Sequence, residues 1–230
     1  MSARQLTLSL QKGPGTQPQQ VGVAHLVVAG WTGRDASAVE KHMAELEAIG
    51  IARPASAPIF YRVATARLTT NATIEDAGKT SGGEVEYLIL WYEGRYWVGL
   101  GSDHTDREVE KYGVTVSKQM CDKPIAPQFW PYDEVAPHWD RLILRSFVIE
   151  NGTRRKYQEG SVAAMLDPMD LVARYTGNGS LADQTLMFCG TLAAHGGVRP
   201  TQNFAFEIED PVLGRKIAHE YQVTPLPVLG

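Results

Sequence analysis

Glu84-Val85-Glu86 runs without a break into Tyr87-Leu88-Ile89-Leu90-Trp91-Tyr92, and this juxtaposition constrains the chain more than any other segment. The unbroken apolar and aromatic run predicts a strand. In a strand, residues i and i+2 share a face, so the two carboxylates project side by side from one edge of an apolar element. Adjacent anions repel unless a cation or a proton sits between them. Asp103 lies in Gly101-Ser102-Asp103-His104-Thr105-Asp106-Arg107, at the end of the next expected strand. It supplies a third carboxylate for an all-oxygen site of the kind that Mg²⁺, Mn²⁺ or Ca²⁺ takes. A solvated strand start with its acids facing water is the plainer reading of the pair by itself.

The rest of the chain is also dominated by strand signals. Leu6–Leu10 alternates, Val21–Gly30 is valine-rich, and Ile59–Val63 follows a proline-marked loop. Further strands are expected near 67–75, 85–92 and 95–101, the last two joined by a tight turn at Glu93-Gly94. Asn151-Gly152, between Leu142–Ile149 and Thr153–Gln158, is the strongest hairpin signal present. Gln184–Cys189, Asn203–Ile208 and a segment near Lys216–Val223 complete the set. Helices are expected from Asp35 or Ser37 to about Ile49, near 105–112, near 131–138 where Pro137 stops the turn, and over Met165–Tyr175. No repeat or linker divides the chain. These signals predict one α+β domain over residues 1–230, with 1–21 as a strand-and-loop extension, on a β-rich, curved or barrel-like core.

Bulk properties exclude several function classes. The 230 residues carry a net charge of -4 with scattered basic residues, so neither nucleic acid nor an anionic membrane is an expected partner. Hydrophobic residues make up 43% and charged residues 21%, which suits a soluble globular protein. No apolar run approaches the ~20 residues of a membrane helix. The widely spaced Cys121 and Cys189 fit a reducing compartment and exclude a cysteine zinc site, and no secretion signal is read in the first residues. The expected location is the cytoplasm. Neither G-x-S-x-G nor G-x-G-x-x-G occurs, and no phosphate-binding loop follows Gly190-Thr191.

Other side chains suit acid–base or binding chemistry. His42 and Glu45 are three residues apart on one helix face, where they can hold a water, although exposed helices carry many such pairs. Arg107 suits capture of a substrate carboxylate, or else a surface pair with Glu110. Lys118, between apolar neighbours, can orient an oxyanion, or can be an ordinary surface lysine. Gly190-Thr191, at the end of an apolar strand, offers a backbone N–H and a hydroxyl to a carboxylate or phosphate.

In this order, these segments resemble the fumarylacetoacetate hydrolase superfamily. Gly33-Arg34-Asp35 followed by His42-Met43-Ala44-Glu45 resembles its G-R-N-Y…H-x-x-E opening, and Glu84-Val85-Glu86 is similar to its E-x-E pair. Asp103-His104-Thr105-Asp106-Arg107 resembles D-x-[ST]-x-R, and Ser117-Lys118 resembles [AG]-K-[SG]. Asn151-Gly152 with Tyr157-Gln158-Glu159-Gly160 and Met165 is similar to N-G…Q-D-G-x-x-x-x-M, and Gly190-Thr191 to the start of T-G-T-P-x-G. Leu192 stands where that loop has proline, and Ala193-Ala194 where it has glycine.

The resemblance covers about residues 22 to 225. It implies a distorted β-barrel or roll of the superfamily's C-terminal domain type with a few peripheral helices, a homodimer, and a bound Mg²⁺ (or Mn²⁺ or Ca²⁺). It implies Glu84, Glu86 and Asp103 as metal ligands, and His42, Glu45 and Lys118 as catalytic groups. It also implies Arg107, Gln158, Gly190 and Thr191 as contacts of a small oxo acid. The activity expected first is hydrolysis of a C–C bond in an acylpyruvate-like β-diketo acid. Decarboxylation, hydration or isomerisation through the same metal-stabilised enolate are the alternatives, and a non-catalytic binding module of this fold is a third.

Overall fold

The computed structural model describes residues 3–11, 16–48, 53–150, 152–177 and 179–229, without the side chains of His42, Glu45, Leu46 and Ala48. In chain order its first elements are β1 (Arg4–Leu10), β2 (Gln19–Val23), β3 (His25–Gly30), α1 (Ala36–Ala48), β4 (Ile59–Val63), β5 (Leu68–Thr69) and β6 (Thr73–Ala77). Then come β7 (Ser81–Gly82), β8 (Val85–Tyr92), β9 (Arg95–Ser102), β10 (Thr105–Asp106), α2 (Arg107–Glu110), α3 (Val114–Met120), β11 (Lys123–Pro124) and β12 (Gln128–Pro131). The last are α4 (Tyr132–Val135), β13 (Ile143–Glu150), β14 (Thr153–Ser161), α5 (Pro168–Thr176), β15 (Thr185–Thr191), β16 (Asn203–Asp210) and β17 (Arg215–Leu226).

An eight-stranded sheet runs β2-β1-β12-β9-β8-β15-β3-β4, and a five-stranded sheet runs β14-β13-β16-β17-β6. The central strands of the large sheet, β8, β15 and β3, are buried on both faces, which is why β8 reads as a continuous apolar run instead of an alternating one. Val85, Tyr87 and Ile89 pack with Leu144, Phe204 and Ile208 of the small sheet. The neighbours of opposite parity, Leu88 and Leu90, pack with Leu8, Leu26, Phe129 and Phe188 as the large sheet curls on itself. Glu86 has the parity of Leu88 and Leu90, so it points into this curl. The small sheet instead alternates buried and part-exposed residues along β16, as a strand with one wet face does. The architecture is the β-rich roll with few helices that the strand pattern predicts.

Local chemistry explains where boundaries differ from expectation. Pro137 does not end a helix; α4 stops at Val135, and Pro137 lies in the first turn of a 3-10 segment, Ala136–Arg141, where a missing N–H costs nothing. The helix expected from Met165 starts at Pro168, because Asp167 caps it by accepting from the Met169 N–H at 2.8 Å. The helix expected near 105–112 is the shorter α2, which Asp106 caps, and a separate helix, α3, follows after Gly113. Asp35 is the group that caps α1, accepting from the N–H of Ser37 at 2.9 Å and of Ala38 at 3.1 Å. The hairpin between β13 and β14 is present, with Gly152 at φ 73°, while Asn151 lies outside the described residues. No helix among the described residues is long and apolar enough to cross a membrane.

Because both faces of β8 are buried, Leu88→Ala and Ile89→Ala are each expected to lose about 3 kcal/mol of unfolding free energy in denaturant titrations. A one-sided strand would show that loss at only one of these adjacent positions.

Candidate active site

The acidic residues meet because of one hairpin. Glu93 and Gly94 turn β8 into β9 with φ of 52° and 73°, both in the left-handed region. The resulting register pairs Val85 with Ser102 and Glu86 with Gly101. The Asp103 N–H then donates to the Glu84 carbonyl at 3.0 Å, placing Asp103 opposite the start of the acidic pair.

Asp103 is buried, and its two carboxylate oxygens each face an ammonium. Lys118 Nζ, from α3, donates to Oδ2, and Lys123 Nζ, from β11, lies 3.1 Å from Oδ1. Burial opposes the Asp103 charge, but Lys118 and Lys123 outweigh it and hold its pKa well below the usual carboxylate range. Burial likewise opposes the charge on Lys118, and Asp103 outweighs it and raises the lysine's pKa. Lys118 also stands 5.7 Å from the centre of the Tyr61 ring. The sequence reading did not single out Lys123. In Cys121-Asp122-Lys123-Pro124 nothing local separates it from an ordinary surface lysine.

Glu86 has no ion pair among the described residues. Its Oε2 accepts the Gly190 N–H at 2.7 Å. Burial, with Asp103 and Glu84 adding repulsion, pushes its pKa well above the usual value. The β15–β8 pairing is irregular between Phe188 and Thr191, and this turns the Gly190 N–H toward the carboxylate. Gly190 has φ 98°, and a Cβ there would come within 1.7 Å of Thr32 Oγ1, so only glycine fits.

The remaining expected residues divide by what they touch. Arg107 donates to Glu84 Oε2 at 3.0 Å, to Glu110 Oε2 at 3.0 Å and to the Gly82 carbonyl at 2.8 Å. The Glu110 pairing expected for Arg107 is present, and the same guanidinium also holds Glu84. Gln158 was expected to meet substrate, but its amide is used up inside the wall. Its Oε1 accepts from the Val85 N–H at 3.0 Å and Ser146 Oγ at 2.7 Å. Its Nε2 donates to Thr191 Oγ1 at 2.8 Å and the Leu192 carbonyl at 2.6 Å. Thr191 Oγ1 in turn donates to the Val85 carbonyl at 2.7 Å, so both side chains brace the site instead of reaching from it. His42 and Glu45 lie on α1, and their side chains are outside the described residues.

Among the described residues no three acidic, histidine or cysteine side chains stand in ligating geometry. Glu84, Glu86 and Asp103 nevertheless form a hard-oxygen donor set of the type that Mg²⁺, Mn²⁺ or Ca²⁺ prefers. The raised proton affinity of Glu86 points the same way, since it marks a buried carboxylate short of positive charge. By these criteria the residues fit a divalent ion.

A family model described as a protein of unknown function (DUF2848) matches residues 29–221. No curated protein matches the chain in sequence. Several solved structures match its shape. The structure titled "Crystal structures of Cg1458" is 14% identical, with 94% of this chain and 87% of that one covered and a TM-score of 0.60. A 2-keto-3-deoxy-D-arabinonate dehydratase, complexed with magnesium and 2,5-dioxopentanoate, is 13% identical, with coverage of 92% and 77% and a TM-score of 0.60. The fumarylacetoacetate hydrolase of psychrophilic Exiguobacterium antarcticum is 17% identical, with coverage of 92% and 80% and a TM-score of 0.56. At such identities the likeness shows the fold, which is that of fumarylacetoacetate hydrolase.

Two outcomes follow from the geometry. Glu86 holds its proton more tightly in the folded than in the unfolded chain, so stability is full below the ordinary carboxylate range and falls as pH rises above it. In metal-free protein, Glu86→Gln should flatten that fall and raise the melting temperature by about 3 °C or more near pH ~8; a lower melting temperature across the whole range would contradict it. Gly190→Ala should cost about 3 kcal/mol or more, and adding Thr32→Ala should recover part of the loss.

Proposed function

The chain belongs to the DUF2848 family of proteins of unknown function, and from the site it carries we propose a divalent-metal-dependent enzyme that hydrolyses a C–C bond in an acylpyruvate-like β-diketo acid. The observation that carries this reading is the buried Asp103–Lys118 pair set opposite Glu84 and Glu86. Three carboxylates with the Lys118 and Lys123 ammonium groups on Asp103 suit a 2-oxo acid, which brings both anionic and polarisable oxygens. Supporting it, the neighbours of this fold are named as a hydrolase and a dehydratase, the latter with magnesium bound.

Glu84, Glu86 and Asp103 would hold the ion, which when bound polarises the substrate's 2-oxo group and offsets the charge formed there. Arg107 aims Glu84 by donating both to its carboxylate and to the Gly82 carbonyl. Lys118 Nζ, already charged by its contact with Asp103, donates to the oxygen that gains charge when water adds to the distal carbonyl. Glu45, with His42, takes the proton of that water. The C–C bond then breaks with its electrons going to the pyruvate carbon, which takes up a proton, and the distal half leaves as a carboxylic acid. Gly190, Thr191 and Gln158 keep the wall in place behind Glu86.

Protein supplied with Mg²⁺ and an acylpyruvate should bleach the diketone absorbance and yield pyruvate and an acid in equal amounts. Lys118→Met should lower kcat by about a hundredfold or more with a smaller change in KM. Release of CO₂ from oxaloacetate, or hydration of a 2-hydroxydienoate, with no acylpyruvate turnover would move the assignment to decarboxylase or hydratase.

A further inference from the structure

Asp103 carries more positive charge than one carboxylate needs, while Glu86, also buried, has no ion pair among the described residues. The surplus comes from Lys123, which is fully buried. Its ammonium lies 3.1 Å from Asp103 Oδ1 and also donates to the His104 carbonyl. The backbone holding it is fixed on both sides. β11 pairs in parallel with β5, Lys123 against Leu68, and Pro124 follows directly.

The carbonyl that anchors Lys123 is fixed as well. His104 is buried, with Nδ1 2.7 Å from the Tyr221 hydroxyl and Nε2 2.8 Å from Asp76 Oδ2. The Tyr221 hydroxyl is in turn 2.9 Å from Ser102 Oγ. The lysine therefore has a built seat, not a chance contact.

We propose that Lys123 is a built-in cation on the third carboxylate, which occupies Asp103 in the metal-free protein and competes with a divalent ion for it. This rests on the metal-site reading above and adds to it a control of occupancy. With Lys118 on Oδ2 and Lys123 on Oδ1, an ion reaches Asp103 only against an ammonium already there. Like charges at such spacing repel strongly in a buried site. The lysine thus weakens divalent binding, and it keeps Asp103 paired when no ion is bound. Sites of this donor set without a second lysine would bind the ion more tightly and depend on it more for folding.

Calorimetric titration of Mn²⁺ into the metal-free full chain tests the proposal. Lys123→Met should bind Mn²⁺ at least about tenfold more tightly than the unsubstituted protein. Its melting temperature should be lower without metal and should recover with Mn²⁺ but not with Na⁺ at equal ionic strength, a rescue that a merely structural lysine would not show. Lys123→Gln keeps a donor for the His104 carbonyl without the charge and should tighten binding in the same direction, which covers a failure of the methionine variant to fold. Adding Asp103→Asn to either variant should abolish the gain. Equal or weaker Mn²⁺ binding by the Lys123 variants, beside clear binding by the unsubstituted protein, overturns the competition and leaves the metal site standing. Absence of Mn²⁺ binding in all of them overturns both.

Discussion

The β8–β9 hairpin sets the position of every carboxylate in the site, through the register that Glu93-Gly94 imposes. A two-residue turn with both φ values positive leaves one pairing between the flanking strands. Under it Asp103 meets Glu84 across the sheet, and Glu86 shares its face with the residues lining the curl. A slip of one residue would turn Glu84 and Glu86 to the opposite face, against Tyr87's neighbours in the inter-sheet core. The two-sided burial of β8 forbids that slip, since each face is filled by its own cluster. Fold stability and site geometry are here the same constraint.

Burying several charges side by side is costly unless they are paired. The chain meets the cost with Arg107 on Glu84, Lys118 and Lys123 on Asp103, and a backbone N–H on Glu86. The distribution is uneven: Asp103 is held below its usual pKa while Glu86 is pushed above it. One buried carboxylate over-supplied with charge beside one under-supplied is an arrangement that another positive group, or a proton, can rebalance. A core built only for stability would gain from removing the imbalance.

Much of this was legible in the residues. The Glu84/Glu86 alternation, the Glu93-Gly94 turn and Lys118 among apolar neighbours all carry local signals, and the structure brings Glu84, Glu86, Asp103 and Lys118 into one charged cluster. Even the pairing of Asp103 with Glu84 follows from where the turn lies. Lys123 was hidden because no spacing marks it: its meaning depends on β11 lying beside β5, a pairing between segments far apart in sequence. The wall-bracing bonds of Gln158 are hidden for a related reason. A glutamine in a family-like motif suggests a ligand contact, and only the assembled sheets reveal that Val85, Ser146, Thr191 and Leu192 use all of its bonding capacity. Pro137 failed as a stop signal because its tolerated position, the first turn of a helical segment, cannot be told from a breaking one until the segment's start is known.

Gln158 also shows how the two sheets share the work. Its amide ties β14 and β13 of the small sheet to the start of β8 and the end of β15 in the large one. That junction lies directly behind Glu86 and Gly190, so the carboxylates rest on a strand framework braced by satisfied polar bonds. Lys118 arrives from the short helix α3, and the segment leading into α1 meets the framework through Gly33 paired with Met165 and through the two-point Arg34–Asp140 contact at 2.9 Å and 2.8 Å. The carboxylates proposed to hold the ion thus lie in β8 or at the adjoining ends of β8 and β9, while the groups proposed for proton transfer belong to the helices. Changes of chemistry on this scaffold need only alter what the helices and the Gly190–His195 loop present, where Leu192 and Ala193 already depart from the superfamily pattern.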